Sequence, residues 1–224
     1  MPAIRSYPGG MTFRALSFVT LALSCLITAA CSTIAPEDDG GTFAGSDRDR
    51  TCEAEATLRF ENCVSSNAQA TQPPIARVIV ASSIESGANG PEVCTVPDQS
   101  WLAIGSYGGG GGGGSATRAV DSGGDEAGDR VDVSCSVVPE GDGSYRMQAV
   151  ATRARSGTVR VVGVFRPENA PQKGITVELI RPDLGMFTQT DCVARYDVNP
   201  AAGITDGRAW FRVSCPQVKS PATR

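Results

Sequence analysis

Residues 131–151, VDVSCSVVPEGDGSYRMQAVA, contain the pattern that decides the fold. Apolar residues occupy every second position in both arms of this segment, at Val131, Val133, Cys135 and Val137 and then at Tyr145, Met147, Ala149 and Ala151. A period of two is typical of a β-strand with one buried face. The stretch EGDG at 140–143 carries turn residues. The segment therefore predicts two short strands separated by a turn.

Similar strand patterns recur along most of the chain. They predict further strands at 52–60, 76–83, 158–166, 175–179, 192–196 and 209–215. Composition would also allow a helix at 52–60, because Ala, Glu and Leu favour one, but the strict alternation favours a strand. Regularly spaced strands with turn signals indicate an antiparallel sandwich or barrel. We predict an all-β, disulfide-stapled antiparallel β-sandwich of eight or nine short strands.

Residues 11–31, MTFRALSFVTLALSCLITAAC, have the order of an export signal. A positive charge at Arg14 precedes an apolar run, and small residues follow. The end, Thr28-Ala29-Ala30-Cys31, resembles the lipobox of bacterial lipoproteins. This resemblance implies cleavage before Cys31 and a lipid on that cysteine. Ser32 in the next position implies, by the same resemblance, the outer membrane of a Gram-negative bacterium.

Two other interpretations of this segment remain open. One is an ordinary secretory signal that is cut near Ala29 or Ala30 without a lipid. The other is Cys25 as the lipid acceptor, which fits worse because the apolar run before it is shorter. An uncut membrane helix is disfavoured because the apolar segment is shorter than the ~20 residues that a span needs.

The chain divides into four predicted parts. We expect a signal peptide at 1–30, the lipidated cysteine with a flexible tether at 31–50, the β domain at 51–216 and a frayed tail at 217–224. A flexible loop at 108–128 interrupts the domain, because it begins with seven consecutive glycines and continues with Gly, Ser and Asp.

Charge and size limit the partners. Removing residues 1–30 leaves 194 of the 224 residues, with 18 of the 20 basic and all 24 acidic residues, a net charge of −6. One domain of this size can bury a substantial core. An acidic surface argues against nucleic acid as a partner, since phosphates need a basic face. The expected partners are the membrane, through the lipid on Cys31, and an envelope protein or glycan.

Cysteine usage agrees with an exported domain. Six cysteines remain after Cys25 and Cys31 are set aside, and an oxidising compartment favours three disulfides. We favour a Cys192–Cys215 pair, because both lie on strand-like segments close in sequence, and the other pairings stay open. A zinc site is not expected, since the chain has no histidine and no C-x-x-C pair. The six candidates are Cys52, Cys63, Cys94, Cys135, Cys192 and Cys215.

The absence of histidine also excludes Ser-His-Asp and Cys-His catalysis. The glycine run lacks the Lys-Ser/Thr ending of a phosphate-binding loop, so no nucleotide or other cofactor is expected. Paired carboxylates remain chemically possible, with Glu53 and Glu55 on one strand face as an example, although a solvated face explains them better. We therefore expect a protein that is not an enzyme.

The acidic stretch at 121–132 could supply oxygen ligands for Ca²⁺. Its spacing departs from the EF-hand loop at positions three, six and twelve. A solubilising loop is the favoured interpretation, and no metal site is predicted. The candidate ligands are Asp121, Asp125, Glu126, Asp129 and Asp132.

The most distinctive group of candidate binding residues consists of Arg208, Trp210 and Arg212. If Ala209 and Phe211 face the core, alternation places these three residues on the opposite face of the strand. A tryptophan between two guanidiniums could stack with them and offer a platform to a sugar ring or a peptide. The alternative is a tryptophan packed under a loop and shielded by arginines.

Three segments, PPIARVIVASS at 73–83, VSCSV at 134–138 and GRAWFRVSCP at 207–216, resemble a group of myxobacterial lipoproteins that have no assigned activity. The resemblance implies a location in the envelope and no particular chemistry. We expect a non-enzymatic, lipid-anchored envelope protein with a binding or structural role. The alternatives are a carbohydrate- or peptidoglycan-binding module that uses the Trp210 face, and a carboxylate-dependent hydrolase.

Overall fold

The computed structural model describes residues 50–66, 75–108 and 116–220. The predicted signal peptide, Cys31, the tether up to residue 49 and the glycines at 109–114 lie outside the described residues. Within the described ranges the chain forms twelve strands and one short 3₁₀ helix, Gly87–Asn89. The strands are β1 Arg50–Glu61, β2 Arg77–Glu85, β3 Gln99–Ile104, β4 Val120–Asp121, β5 Asp125–Glu126, β6 Asp129–Pro139, β7 Tyr145–Arg153, β8 Gly157–Phe165, β9 Gln172–Arg181, β10 Gly185–Arg195, β11 Gly203–Thr205 and β12 Arg208–Ser220.

The strands form an antiparallel sheet in the order β3-β2-β1-β12-β10-β9-β8-β7-β6-β5, with β4 added to β2 and β11 added to β12. The two ends of this order approach each other. Val64, just after β1, bridges Ser136 of β6. The hydroxyl of Ser122, just after β4, accepts a hydrogen bond of 2.9 Å from the N–H of Val133 in β6.

The sheet is therefore nearly closed and barrel-like. The predicted all-β antiparallel class is confirmed. The predicted sandwich of eight or nine strands is wrong in strand number, because the described residues add β3, β4, β5 and β11. These added strands are mostly short, and two to six residues carry little periodicity of their own.

Alternation places the core inside this curved sheet. Ala54, Ala56, Leu58 and Phe60 of β1 are buried, while the residues between them are half-buried or exposed. The rings of Phe165 and Phe211 meet with centroids 4.9 Å apart. These inward residues supply the apolar burial that stabilises the domain.

Three disulfides join cysteines of the described residues. They pair Cys52 with Cys94, Cys63 with Cys135, and Cys192 with Cys215. The Cys192–Cys215 pair is the one that the sequence favoured. It links the neighbouring strands β10 and β12, whose residues Val193 and Ser214 lie opposite each other.

Two predicted boundaries need correction. β12 continues to Ser220, so residues 217–220 belong to the sheet and not to a frayed tail. Val218 is fully buried opposite Cys52, and a β-bulge accommodates Pro216 beside it. Residues 221–224 lie outside the described part of the chain. The predicted loop at 108–128 also contains β4 and β5.

The turn between β11 and β12 positions the candidate site. Thr205 pairs with Arg208 across the two residues Asp206 and Gly207. Gly207 has φ +75°, a conformation that glycine adopts without steric cost. An Asp-Gly dipeptide between stretches of alternating apolar residues, here with Ile204 before it and Ala209 after it, is a strong hairpin signal, and it could have predicted β11. Within the described residues, no helix is long and apolar enough to cross a membrane.

Candidate functional site

Trp210 lies where alternation placed it, on the outer face of β12. Ala209 and Phe211 on either side point into the core and are fully buried. Trp210 itself is only 8% exposed, because other side chains cover it. The predicted platform is therefore not an open aromatic surface.

The guanidinium that stacks on Trp210 belongs to Arg59. Its central carbon lies 4.7 Å from the centre of the indole ring. Arg59 sits directly opposite Trp210 in the pairing of β1 with β12, which brings the two side chains together on one face. The sequence prediction named Arg208 and Arg212 as the stacking partners, because it could not include a residue from another strand.

Tyr107 covers Trp210 from the segment that follows β3. The two rings stack with centroids 6.1 Å apart and planes 20° apart. The Tyr107 hydroxyl donates a hydrogen bond of 3.2 Å to the carbonyl of Ile79. Burial raises the pKa of Tyr107 above its usual value, against an opposing effect of Arg59, so the hydroxyl stays protonated and keeps this bond. The structure thus matches the alternative of a tryptophan packed under a loop.

An open groove of about 280 Å³ lies beside this covered tryptophan. Trp210, Tyr107 and Arg212 line it together with Thr57 and Asn199. The side-chain carbonyl of Asn199 accepts a hydrogen bond of 2.8 Å from the N–H of Ala201, which orients the amide. We call this feature the Trp210 groove. It combines an aromatic edge with one cation and three neutral polar side chains, since Thr117 also lines it.

Arg208 does not belong to the Trp210 groove. It lines a separate cavity of about 410 Å³ together with Glu61, Asn62 and Asp206. The three residues of the predicted platform are thus divided between two places on the outer face, because Arg208 lies at the start of β12 beside the Asp206-Gly207 turn.

Arg212 has a second cation as its cross-strand neighbour. It lies directly opposite Arg195 in the pairing of β10 with β12, and both side chains are exposed. Like charges directly opposite each other on a sheet are destabilising. An anionic group bound near Arg212 would reduce this repulsion, so the edge of the groove favours a negatively charged ligand.

The acidic stretch at 121–132 does not form a calcium site in the structure. Its carboxylates point to different partners, since Asp121 pairs with Arg77, Glu126 pairs with Arg118, and Asp132 pairs with Arg130. Among the described residues, no group of three or more Asp, Glu, Cys or His side chains could hold a metal ion.

Asp129, the most buried of these acids, interacts with a turn. It accepts hydrogen bonds from the N–H of Arg155 and from the hydroxyl of Ser156. Desolvation raises the pKa of Asp129. These hydrogen bonds and the charges of Arg155 and Arg153 outweigh that effect and hold the pKa below its usual value. The carboxylate is therefore ionised and structural.

Two further carboxyls have lowered pKa values. Hydrogen bonds from the hydroxyl and the N–H of Ser144 lower the pKa of Asp142, and the hydrogen-bonded guanidinium of Arg181 lowers that of Asp183. A general acid needs a raised pKa instead.

No protein-family model matches the chain, and no curated protein matches it in sequence. The function of the Trp210 groove must therefore be inferred from the residues that line it. The sequence pointed to Trp210 and Arg212. It missed Arg59, Tyr107 and Asn199 as neighbours, since strand pairing and loop placement bring them to the site.

Proposed function

We propose that this chain is a non-enzymatic, lipid-anchored protein of the bacterial envelope whose β domain is a binding module. The lipobox resemblance at Cys31 supports the anchor and a place at the outer membrane. The three disulfides support an oxidising compartment, where such bonds form and persist. The membrane, reached through the lipid, is the first partner.

The Trp210 groove is the observation that carries the binding role. An aromatic edge next to amide and hydroxyl groups suits a sugar ring, which presents apolar faces and hydroxyls. The opposed cations Arg195 and Arg212 favour a glycan that also carries a carboxylate. We therefore propose an acidic envelope glycan, such as peptidoglycan, as the ligand.

The hydrolase alternative has less support. Glu53, one of the paired carboxylates named from the sequence, accepts a hydrogen bond of 2.7 Å from the N–H of Ala88 in the 3₁₀ helix. Glu55 is exposed on the outer face of β1. The carboxyls with clear pKa shifts, Asp129, Asp142 and Asp183, all have lowered values, so they favour the ionised form.

The anchor is tested by fractionating cells that produce the Cys31→Ser chain. We expect this variant to leave the membrane fraction, while a Cys25→Ser control stays in it, because only Cys31 would carry the lipid. A Cys31→Ser chain that remains with the membranes would overturn the anchor.

The glycan role is tested by sedimenting the purified full chain with peptidoglycan sacculi. Arg212→Gln is the sharpest variant, because Arg212 is exposed and its loss leaves the core intact. We expect its affinity to fall about tenfold, as for the loss of one charge-assisted hydrogen bond. Arg160→Gln, on an exposed position of β8, is the matched control and should bind like the parent chain. Equal sedimentation of both variants, or none of the parent chain, would exclude this role for the groove.

A further inference from the structure

A second groove, of about 440 Å³, lies apart from the Trp210 groove. Its walls are the edge strand β3, the turn between β7 and β8, and the turn between β9 and β10. Arg153, Arg155 and Arg181 line it together with Trp101 and Ser156. We call it the arginine groove. Its proposed role is independent of the proposed glycan-binding function.

The three guanidiniums reach the groove from two different turns and are held by the fold. Arg153 donates to the carbonyl of Ala103 in β3 at 3.4 Å. Arg181 donates to the side-chain carbonyl of Gln99 at 2.8 Å and to the carboxylate of Asp183. These contacts hold the two arginines against the edge strand. Because folding has already ordered their side chains, a ligand that binds them causes a smaller further loss of conformational entropy.

Arg155 is the most accessible of the three. Its side chain is 76% exposed, and its Nη2 donates to the carbonyl of Gly128. The carboxylate of Asp129 lies 3.6 Å from the Nε of Arg155 and 3.5 Å from the Nε of Arg153. This single buried carboxylate is shared between two guanidiniums.

The arginine groove has more donors than acceptors. Three guanidiniums line it, and two carboxylates pair with them, Asp183 with Arg181 and Asp129 with both Arg153 and Arg155, so one positive charge is unmatched. Among the described residues, the buried indole N–H of Trp101 has no hydrogen-bond partner, and the buried Nε of Arg153 has only its ion pair with Asp129 at 3.5 Å. Trp101 is only 3% exposed, and the guanidinium of Arg181 lies 5.5 Å from the centre of its ring. An anion would supply the missing negative charge.

We propose that the arginine groove binds a phosphate monoester. A phosphate monoester presents three acceptor oxygens around one centre, whereas a carboxylate presents two in one plane. Three guanidiniums that approach from different segments match the phosphate better. Each planar guanidinium can donate hydrogen bonds to a different pair of phosphate oxygens. Ser156 lies at the same wall, but its hydroxyl already donates to Asp129, so the guanidiniums supply the donors of the site.

The test is a calorimetric titration of the purified, oxidised full chain with glycerol 3-phosphate at low salt. Succinate, a dicarboxylate of similar charge, is the comparison ligand. We expect saturable binding of the phosphate, weaker binding of succinate, and a loss of affinity as salt screens the charges. Arg155→Gln and Arg181→Gln should each weaken phosphate binding about tenfold.

Arg130→Gln is the matched control, because Arg130 is exposed on β6 and does not line the groove. It should bind like the parent chain. Circular dichroism and a thermal melt of each variant would show that it remains folded. No binding at millimolar phosphate, equal affinity in all variants, or succinate binding as tight as phosphate binding would each overturn the proposal.

The phosphate could belong to a soluble ester or to a lipid headgroup. Flotation with phosphatidylcholine vesicles, with and without phosphatidic acid, separates these sources. The Cys31→Ser chain is used here, because a lipid on Cys31 would itself enter the vesicles. Binding that needs phosphatidic acid and is lost in Arg155→Gln supports a lipid source, and glycerol 3-phosphate binding without flotation supports a soluble ester.

Discussion

Cys63 and Cys135 are bonded to each other although 72 residues separate them in sequence. Cys63 follows β1 and Cys135 lies in β6, so the bond joins parts of the sheet that are far apart in strand order. Val64 adds two backbone hydrogen bonds to β6 beside this disulfide. Its N–H donates to the carbonyl of Cys135 at 2.9 Å, and its carbonyl accepts from the N–H of Val137 at 3.0 Å. This disulfide therefore holds the nearly closed sheet together.

Replacing both cysteines of this pair with serine should destabilise the domain more than replacing Cys192 and Cys215. The first bond spans 72 residues and the second spans 23. Chain entropy alone then gives a loss of about 4 kcal/mol for the first pair and about 3 kcal/mol for the second. Urea unfolding of both double variants measures the difference, and a larger loss for Cys192→Ser/Cys215→Ser would contradict this role.

Val218→Ala should lower the free energy of unfolding by about 2 kcal/mol, since it truncates a fully buried side chain in the sheet. Lys219→Ala is the adjacent control on an exposed position and should change stability by less than about 0.5 kcal/mol. Equal effects in chemical denaturation would mean that β12 ends before residue 217.

Asp129 should make the domain sensitive to acid. Its pKa is lower in the folded state than in the unfolded chain, so the unfolded state binds more protons as the pH falls. The stabilisation is complete above the unfolded pKa of about 4 and is lost as the pH falls through the folded value.

Asp129→Asn should therefore be less stable than the parent chain at neutral pH, and its stability should fall less in acid. Unfolding midpoints measured between about pH 6 and about pH 2 test this expectation. Asp191→Asn, at an exposed position of β10, is the control and should keep the acid sensitivity of the parent chain. If the unfolding midpoints of Asp129→Asn and the parent chain fell in parallel with pH, protonation of Asp129 would not be the cause of the acid sensitivity.

Tyr107→Ala should uncover Trp210. The variant removes the stacked ring, which should increase quenching of the Trp210 fluorescence by acrylamide and cost at least about 1 kcal/mol of stability. Tyr107→Phe keeps the ring and loses only the hydrogen bond to Ile79, so its quenching should stay near that of the parent chain. The measurement uses a Trp101→Phe background, because the chain has two tryptophans. Unchanged quenching in Tyr107→Ala would show that another group covers the indole.

The long strands were predictable because their periodicity is local. Residues 131–137 and 145–151 alternate strictly, and the structure pairs them as β6 and β7 with Val133 opposite Ala151. The four added strands were missed because two to six residues contain little measurable periodicity. The end of β12 was missed because Pro216 and Gln217 interrupt the alternation at a bulge.

The Trp210 site was predictable only within its own strand. Alternation placed Trp210 on the outer face and Phe211 in the core, and both positions are confirmed. The stacking partner was predicted wrongly, because Arg59 belongs to β1. The arginine groove was not predicted, since its cations come from the two turns that meet the edge of β3.

The sequence by itself determined the all-β class, the inward and outward faces of the long strands and the Cys192–Cys215 pair, because these depend on periods of two and on short separations. Only the tertiary structure decided which strands are neighbours, that the sheet nearly closes, and that Arg59 and Tyr107 cover Trp210. Strand pairing joins residues that are distant in sequence, and many pairings would satisfy the same local alternation.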